Sequence, residues 1–295
     1  MPTFAVAVET DPNTFSAASI DRVSAERRDP GWVARAERDP RARALASSGG
    51  RMALSGEPSP LDFVLADPQP LEGTRPVLLG LRDGAPLFAV EGDEPPAGSQ
   101  WSGLRELAST LSPAEAALAA TAIAIGNWHR RHRFCPNCGS PTDLAEAGWL
   151  RKCPACGADH HPRVDPVVIM IVVDEPGERV LLGRQPSWPQ GRYSALAGFV
   201  EPGESLEEAV AREVREESGV EVGGIIYRSS QPWPFPSSLM LGFACRYAGG
   251  DPAPRDGELE DVRWFARAEL SELVLPPRLA IARRLIDEWR GSSPS

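Results

Sequence analysis

Two copies of the pattern Cys-Pro-x-Cys-Gly constrain the fold of this chain more than any other part of its sequence. Cys135 and Cys138 form the first copy, and Cys153 and Cys156 form the second after an interval of fourteen residues. Each copy is a tight turn that directs two thiolates to one point, and two such turns complete a tetrahedral four-sulfur site that suits zinc. Four buried free thiols are the alternative, but they would not require the repeated pattern. Because four protein ligands close the coordination shell, the sequence predicts one structural zinc ion per chain.

Histidines surround this cysteine module. All four histidines of the chain flank it, at His129, His132, His160 and His161. Histidine is an alternative zinc ligand, but the cysteines already complete the shell, so we interpret "WHRRHR" as a solvated or phosphate-facing basic patch. The fifth cysteine, Cys245, lies in an apolar stretch and is predicted to be a buried core thiol.

The stretch "GFVEPGESLEEAVAREVREESGV", residues 198–220, predicts a capped amphipathic helix. Ser205 and Glu208 form a capping box at its start, and Gly219 stands where a left-handed glycine ends many helices. An apolar stripe with a spacing of four residues is predicted to face the core. It consists of Leu206, Val210 and Val214.

Three glutamates of this helix share one face, which borders the apolar stripe. Glu213, Glu216 and Glu217 stand at positions i, i+3 and i+4. Adjacent like charges on a helix cost roughly 0.2–0.5 kcal/mol per pair, and more where they are partly buried. A divalent cation bound by carboxylate oxygens would offset this repulsion, and so would surface ion pairs with Arg212 and Arg215. Helix geometry alone leaves both interpretations open.

The complete stretch resembles the Nudix box. The matching positions are Gly198, Glu204 and the run Arg212-Glu213-Val214-Arg215-Glu216-Glu217-Ser218-Gly219-Val220. Nudix enzymes hydrolyse a nucleoside diphosphate linked to another moiety, with Mg²⁺ or Mn²⁺. The resemblance implies that Glu213 and Glu217 are metal ligands and that Glu216 supports the same cluster. It also implies that Arg212 orients these catalytic glutamates by ion pairing.

A second resemblance narrows the substrate class. The segment "SQPWPFPSS", residues 230–238, contains three prolines, a tryptophan and a phenylalanine. Placed after the box, it resembles the signature of the NADH pyrophosphatase branch, whose members also decap NAD-capped RNA. The resemblance implies hydrolysis of NAD(H) to nicotinamide mononucleotide and AMP, and a 5′-monophosphate end when the substrate is RNA. Members of this branch are commonly homodimers.

The resemblance also assigns individual residues. Glu258 corresponds to another metal-binding glutamate, and Phe199 would stack on the nicotinamide ring. His161 stands where the family usually has tyrosine, which would weaken stacking there. The implied substrate contacts are Ala197, Phe199, Gln231, Pro232, Trp233, Pro234, Phe235, Pro236, Ser237, Ser238, His161, Ala280 and Arg105.

Structural roles are the alternative for several of these residues. Trp233 and Phe235 could belong to the core. Glu258 or Glu260 could be surface charges on a strand edge, and Phe199 could pack beneath the helix. The sequence alone does not decide between these roles and substrate or metal binding.

The chain as a whole is predicted to be an α+β protein with three domains. We expect a mostly β N-terminal domain at 1–128, a zinc ribbon at 129–162 and a Nudix α/β/α sandwich at 163–290. Asp83-Gly84 predicts a hairpin turn, and Ser112 with Glu115 predicts the start of a helix. The final amphipathic helix is predicted to begin at Pro277.

Composition excludes some classes of partner. The formal net charge of −10 argues against a general nucleic-acid or membrane-surface binder, although the basic patch beside the ribbon leaves room for an RNA body. No targeting segment is visible, so a cytoplasmic location is expected. Two other functions stay open: hydrolysis of another nucleotide such as ADP-ribose, and a non-catalytic nucleotide- or RNA-binding module.

Overall fold

The computed structural model describes residues 12–55, 65–66, 75–255 and 257–291. Its internal contacts divide the chain into two units. Unit 1 consists of Met1–Val164 and Trp233–Ser237, and unit 2 consists of Asp165–Pro232 and Ser238–Ser295. The aromatic part of the SQPWPFPSS segment therefore groups with unit 1, although it follows the Nudix box in sequence.

Unit 1 is built on a six-stranded sheet with the strand order β4-β5-β1-β2-β6, and β3 pairs with β1. The strands are β1 (Arg43–Ser48), β2 (Arg51–Ser55), β3 (Leu65–Ala66), β4 (Val77–Arg82), β5 (Ala85–Glu91) and β6 (Ser99–Gly103). The helices are α1 (Pro30–Glu37), α2 (Leu104–Leu107) and α3 (Pro113–Arg131), with a 3₁₀ turn at Glu26–Arg28. This region is mostly β, as predicted.

Local sequence signals account for two of these elements. The β4–β5 hairpin turns at Asp83 (φ 52°) and Gly84 (φ 74°), the positive-φ pair that a two-residue hairpin loop requires. Helix α3 begins with the predicted capping box, because Ser112 accepts a hydrogen bond from the Glu115 N–H and the Glu115 carboxylate accepts one from the Ser112 N–H. Both predictions are confirmed.

The zinc ribbon belongs to unit 1. Its strands β7 (Asp143–Ala145), β8 (Leu150–Lys152) and β9 (Asp159–His160) form a three-stranded antiparallel sheet, with a 3₁₀ turn at Glu146–Gly148. The first cysteine turn precedes β7, and the second lies between β8 and β9.

Unit 2 is an α/β/α sandwich. Its strands are β10 (Asp165–Val173), β11 (Arg179–Arg184), β12 (Leu196–Phe199), β13 (Glu221–Trp233), β14 (Ser238–Gly249) and β15 (Asp261–Ala266). Its helices are α4 (Leu206–Ser218) and α5 (Ile281–Gly291), with a 3₁₀ turn at Glu269–Glu272. The strand order is β13-β14-β10-β11-β15, and β12 pairs with β10.

Strand β10 is apolar on both sides because a helix covers each face of the sheet. Val168, Met170 and Val172 pack in the cluster that contains the buried face of α4. Ile169 and Ile171 point the other way and pack with α5. Alternate side chains of a strand point to opposite faces, so the run "VVIMIVV" supplies both layers. The predicted fold class is confirmed.

The predicted start of the last helix was wrong. Helix α5 begins at Ile281, and Pro277 lies in the preceding turn, where its carbonyl accepts a hydrogen bond from the Ala280 N–H at 2.9 Å. The side chain that satisfies the first N–H of α5 comes from a residue fifty positions earlier, which sequence spacing does not reveal.

The two sheets have the same connectivity. In unit 1, β1 pairs in parallel with β5 and antiparallel with β2 and β3. In unit 2, β10 pairs in parallel with β14 and antiparallel with β11 and β12. The interval between β3 and β4, residues 67–76, is shorter than the 13 residues of α4, and its sequence contains no copy of the Nudix box pattern. Sequence reasoning missed this repeat.

None of the helices in the described part of the chain has the length and apolar character needed to span a bilayer.

Candidate active site and zinc site

The four cysteines of the ribbon converge on one point. All four Sγ atoms lie within 4.8 Å of one another. The Sγ atoms of Cys135 and Cys156 are 3.6 Å apart, and those of Cys138 and Cys153 are 3.5 Å apart. Tetrahedral zinc with Zn–S bonds of about 2.3 Å separates its sulfurs by about 3.8 Å, so this donor set fits one zinc ion.

The two cysteine turns have matching backbone hydrogen bonds. The Gly139 N–H donates to the Cys135 carbonyl at 2.8 Å, and the Gly157 N–H donates to the Cys153 carbonyl at 2.9 Å. Both glycines have positive φ, 75° and 76°. Because other residues rarely adopt this conformation, the glycine of each pattern allows the turn that brings its two sulfurs together.

Helix α4 begins and ends as predicted. Ser205 and Glu208 form the capping box, with the Ser205 N–H donating to the Glu208 carboxylate at 2.7 Å. Gly219 ends the helix in the left-handed conformation at φ 73°. Val210 and Val214 are fully buried, so the apolar stripe anchors the helix on the sheet and sets the direction of the neighbouring glutamates.

The carboxylate of Glu213 lies against the backbone of Gly198. Gly198 is on β12, paired with Val168 of β10. A Cβ atom at position 198 would lie 1.9 Å from the Glu213 carboxyl carbon, so only glycine leaves room for this carboxylate. The glycine and the glutamate of the box, fifteen residues apart in sequence, therefore form one structural feature.

Arg212 links the carboxylates of the box to one another. Its guanidinium donates to both carboxylate oxygens of Glu204, at 2.5 and 2.8 Å. It also donates to Glu213 at 2.8 Å, to Glu216 at 3.0 Å and to the Phe199 carbonyl at 2.9 Å. These bonds raise the pKa of Arg212, and the Arg212 guanidinium lowers the pKa of Glu204 to about 2.

The glutamates differ in exposure and share an electrostatic field. Glu217 is 4% exposed, whereas the Glu216 side chain is 49% exposed. Burial raises the pKa of Glu213, Arg212 lowers it, and the negative charges of Glu216 and Glu258 raise it further. Glu258, predicted from the resemblance, is therefore close enough to Glu213 to repel it electrostatically.

Glu260, for which the sequence left open a role as a surface charge, forms an ion pair with Arg184. The two neighbouring acids thus have different surroundings. Glu258 affects the charged cluster of α4, and Glu260 neutralises an arginine of β11.

The carboxylates are the type of ligand that a hard divalent cation prefers, although they are not arranged as a preformed metal site. Within the described ranges, the cysteines form the one group of three or more candidate ligand atoms that lie within 4.8 Å of one another. Partly buried carboxylates on one helix face are nevertheless the oxygen donors that Mg²⁺ and Mn²⁺ prefer, so the residues present fit such an ion.

The aromatic residues of the SQPWPFPSS segment pack on each other within unit 1. The rings of Trp233 and Phe235 are edge to face at 5.2 Å, and each lies 6.0 Å from the ring of Phe15. The Arg105 guanidinium lies 4.3 Å from the Phe235 ring and 5.6 Å from the Trp233 ring. Arg105, predicted as a substrate contact, therefore also braces this segment through cation–π contacts.

Gln231 is 1% exposed, and its side chain holds the start of α5. Its Nε2 donates to the Leu279 carbonyl at 2.8 Å, and its Oε1 accepts from the Ile281 N–H at 2.8 Å. Ala280, a predicted substrate contact, lies between these two backbone groups. Sequence reasoning assigned Gln231 to the substrate and missed this structural use of its amide.

The remaining predicted contacts differ in accessibility. Phe199 is 61% exposed, so its ring is accessible for stacking and is not packed beneath the helix. Ala197 on β12 is partly buried, and His161 in unit 1 is exposed. In the SQPWPFPSS segment, Pro234 is buried and Pro236 is exposed; Pro232, Ser237 and Ser238 are partly buried.

Two contributors to these arrangements have roles that the sequence alone does not reveal. Glu204 was recognised as a box position, but its pairing with Arg212 depends on the fold of the loop before α4. Phe15 carries no recognisable motif, and nothing in the sequence links it to residues more than two hundred positions away.

Comparison with known proteins identifies all three parts of the chain. Family models match the NUDIX domain at residues 163–289, the NADH pyrophosphatase zinc ribbon domain at 130–160 and the NADH pyrophosphatase-like rudimentary NUDIX domain at 41–128. The last match agrees with the repeated sheet connectivity of the two units.

Relatives of known name support the same assignment. The NAD-capped RNA hydrolase NudC of Stutzerimonas stutzeri is 47% identical over 211 residues, which are 71% of this chain and 75% of the relative. The protein of the same name from Deinococcus radiodurans is 43% identical over 74% of this chain and 78% of its own. The human NAD-capped RNA hydrolase NUDT12 is 43% identical over 63% of this chain and 44% of its own. The chain belongs to the NADH pyrophosphatase branch of the Nudix hydrolase family.

Proposed function

We propose that this protein hydrolyses the pyrophosphate bond of NAD(H) to nicotinamide mononucleotide and AMP. We further propose that it removes the NAD cap from RNA and leaves a 5′-monophosphate end. The observation that carries this proposal is the complete Nudix box, with Arg212 bonded to three of its glutamates, in a chain whose relatives include NAD-capped RNA hydrolases.

The chain's own residues prepare a negatively charged, partly buried surface. Arg212 restrains Glu213 and Glu216, and the packing of α4 buries Glu217. Gly198 leaves the space that Glu213 occupies. Side chains restrained before the substrate arrives lose little entropy when they act, which is the basis of electrostatic preorganisation.

Glu213, Glu216, Glu217 and Glu258 would hold the catalytic metal, which we propose to be Mg²⁺ or Mn²⁺. Such an ion neutralises charge on a pyrophosphate and lowers the pKa of water. Overall, water adds its oxygen to one phosphorus and the bond from that phosphorus to the bridging oxygen breaks. The carboxylate cluster as a whole is assigned to accept the proton that water loses.

The residues that we propose to contact the substrate are assigned by resemblance, and the accessibility of their side chains supports the assignment. The exposed Phe199 ring provides a flat surface for the nicotinamide, and partly buried Ala197 and Ala280 offer backbone contacts. For Gln231, we propose a positioning role, because its buried amide fixes the turn that contains Ala280. His161, Arg105 and the residues from Pro232 to Ser238 complete the proposed binding set.

The wider organisation also stays a proposal. We propose three domains, at 1–128, 129–162 and 163–290, and a homodimer as the assembled form. The cytoplasmic location expected from the N-terminal sequence stays a prediction.

A comparison of substrates tests the proposed function. NADH, NAD⁺, ADP-ribose and an NAD-capped RNA are incubated with the full chain and either Mg²⁺ or Mn²⁺, and products are separated by chromatography. We expect nicotinamide mononucleotide and AMP from the dinucleotides and 5′-monophosphate RNA from the capped substrate. A higher kcat/KM for ADP-ribose than for NADH would contradict the proposal. No turnover of any substrate would favour a binding module.

A variant pair connects this activity to the carboxylates. Glu217→Gln, which removes a proposed ligand charge at a buried position, is expected to lower kcat strongly. Glu207→Gln, at an exposed position on the first turn of the same helix, serves as the control. Unchanged turnover in Glu217→Gln would refute the metal-ligand assignment.

A further inference from the structure

Unit 1 contains a cavity of about 340 Å³ that no residue of the proposed active site lines. Its walls come from β1, β4 and β5, from helix α3 and from strands β7 and β8 of the ribbon. Pockets for small molecules have volumes of about 300–1,000 Å³, so this cavity has room for a ligand of that kind.

The cavity is strongly basic in a protein whose net charge is −10. Four arginines line it, and among its described lining residues Glu91 is the single acid. The lining arginines are Arg75, Arg130, Arg133 and Arg151. Arg130 forms an ion pair with Glu91, so one positive charge is neutralised inside the protein.

Arg151 is a buried cation whose hydrogen-bond partners are neutral. It is 9% exposed. Its Nε donates to the Thr142 hydroxyl at 2.7 Å, its Nη2 to the Thr142 carbonyl at 2.9 Å and its Nη1 to His129 Nδ1 at 3.1 Å. No carboxylate of the described chain lies within ion-pair distance of it. The charge of Asp143 offsets part of the cost of burying this guanidinium, and an anion in the cavity would offset more of it.

Two further guanidinium groups are available to the same anion. Arg75 and Arg133 are exposed, and neither forms an ion pair with a carboxylate in the parts of the chain that the structure describes. Guanidinium groups bind phosphate through paired hydrogen bonds, and several arginines around one cavity suit a group with two or more negative charges.

Apart from Ser47 and His129, the rest of the lining is apolar. Val77, Val90 and Ile125 contribute hydrocarbon surface beside the arginines. A free inorganic anion would leave this surface in contact with water, whereas a phosphorylated molecule with an organic ring would cover it. The lining therefore matches a ligand that has both a phosphate group and a ring.

The geometry points to a second ligand site in this protein, in which Arg75, Arg133 and Arg151 bind the phosphate groups of a nucleoside monophosphate or diphosphate in the cavity of unit 1. The site is expected to bind without hydrolysing, because Glu91 is the one acid among its described lining residues and is paired with Arg130. This inference does not depend on the proposed NAD(H) activity.

Calorimetric titration of ADP tests the second site. The full chain carrying Glu217→Gln is used, without added Mg²⁺ or Mn²⁺ and without chelator, so that hydrolysis is suppressed and zinc is retained. Three proteins are compared: this parent, the parent with Arg75→Gln and Arg133→Gln, and the parent with Arg38→Gln. Arg38 is an exposed arginine of unit 1 that does not line the cavity.

We expect the parent and the Arg38→Gln control to bind ADP equally. The Arg75→Gln/Arg133→Gln protein should bind roughly tenfold or more weakly, because charge-assisted bonds to phosphate are lost. Inorganic pyrophosphate should compete with ADP. Thermal unfolding checks that the double variant is folded, and Arg75→Gln alone, at an exposed side chain, should weaken binding in the same direction.

Three results would overturn the inference. The first is that the parent does not bind ADP, and the second is that it binds ADP with an affinity that the arginine variants do not change. A third result is that a 5′-monophosphorylated RNA oligonucleotide binds through these arginines while ADP and pyrophosphate do not. That outcome would make the cavity part of an RNA phosphate track rather than a small-molecule site.

Discussion

The carboxylate of Glu213 occupies the space that a side chain at position 198 would need, since a Cβ atom there would lie 1.9 Å from the Glu213 carboxyl carbon. The first glycine of the box thus determines where a proposed metal ligand can lie. The occurrence of glycine and glutamate at these two positions of the box is explained by their contact, and not by either residue alone.

Gly198→Ala is therefore expected to displace Glu213 and to lower kcat/KM for NADH by about 100-fold, as small misplacements of catalytic groups do. Gly223→Ala is the matched control, because a Cβ at that strand position meets no atom within 4 Å. Turnover is measured alongside thermal unfolding. Wild-type activity in a folded Gly198→Ala protein would show that the position of Glu213 is unimportant.

Arg212→Lys is expected to lower kcat by about 10- to 100-fold, the usual effect of losing a group that orients metal ligands. Lysine keeps the positive charge but has no planar fork, so it cannot bond Glu204 through two nitrogens while also reaching Glu213 and Glu216. Arg215→Lys, three residues along the same helix and exposed, should have little effect. Equal activity of the two variants would argue against an orienting role for Arg212.

Sequence patterns predicted the local parts of this site and missed its long-range parts. The capping boxes of α3 and α4 and the glycine that ends α4 involve residues a few positions apart, so spacing reveals them. The bonds from Gln231 to the start of α5 join residues about fifty positions apart, and the packing of Phe15 on Trp233 spans most of the chain. Such pairs depend on the tertiary fold, which is why Pro277 was a misleading start signal and why the structural role of Gln231 was not predicted.

Gln231→Leu should destabilise unit 2, because it leaves the Leu279 carbonyl and the Ile281 N–H without their buried partner. Two unsatisfied backbone groups cost about 2–4 kcal/mol of unfolding free energy. Gln190→Leu, at an exposed glutamine of the same unit, is the control for a general effect of the substitution. Urea denaturation measures both, and an unchanged midpoint for Gln231→Leu would refute the clamp.

Removal of zinc should unfold the ribbon. The buried thiol of Cys245 should not contribute to zinc binding. We expect about one zinc per chain by metal analysis, and loss of that zinc together with lower stability in Cys153→Ser, since structural zinc contributes directly to folding. Cys245→Ala should keep its zinc, because this sulfur is buried in the core of unit 2 and donates to the Ile171 carbonyl. Full zinc content in Cys153→Ser would contradict the four-sulfur site.

His129 predicts a pH dependence of the stability of unit 1. Burial, with a smaller contribution from the charge of Arg151, lowers the pKa of His129 to about 4. Its Nε2 bonds the Gly148 carbonyl at 2.9 Å and its Nδ1 faces Arg151, which fits a neutral ring.

The direction of this pH dependence follows from the number of protons that the folded and unfolded chains bind. Unfolded histidine has a pKa of about 6.5, so between pH 6.5 and pH 4 the unfolded chain binds a proton that the folded chain does not. The unfolding free energy should therefore fall as pH is lowered through this window, by at most about 1.4 kcal/mol per pH unit, with no further contribution below it.

Urea denaturation of wild type and His129→Gln at several pH values between 7.5 and 4.5 measures this dependence. The variant has no titrating group at position 129, so its unfolding free energy should fall less steeply with decreasing pH, whatever its stability at neutral pH. Identical slopes for wild type and His129→Gln would mean that His129 takes up its proton equally in the folded and unfolded chains, which its burial and the charge of Arg151 should prevent.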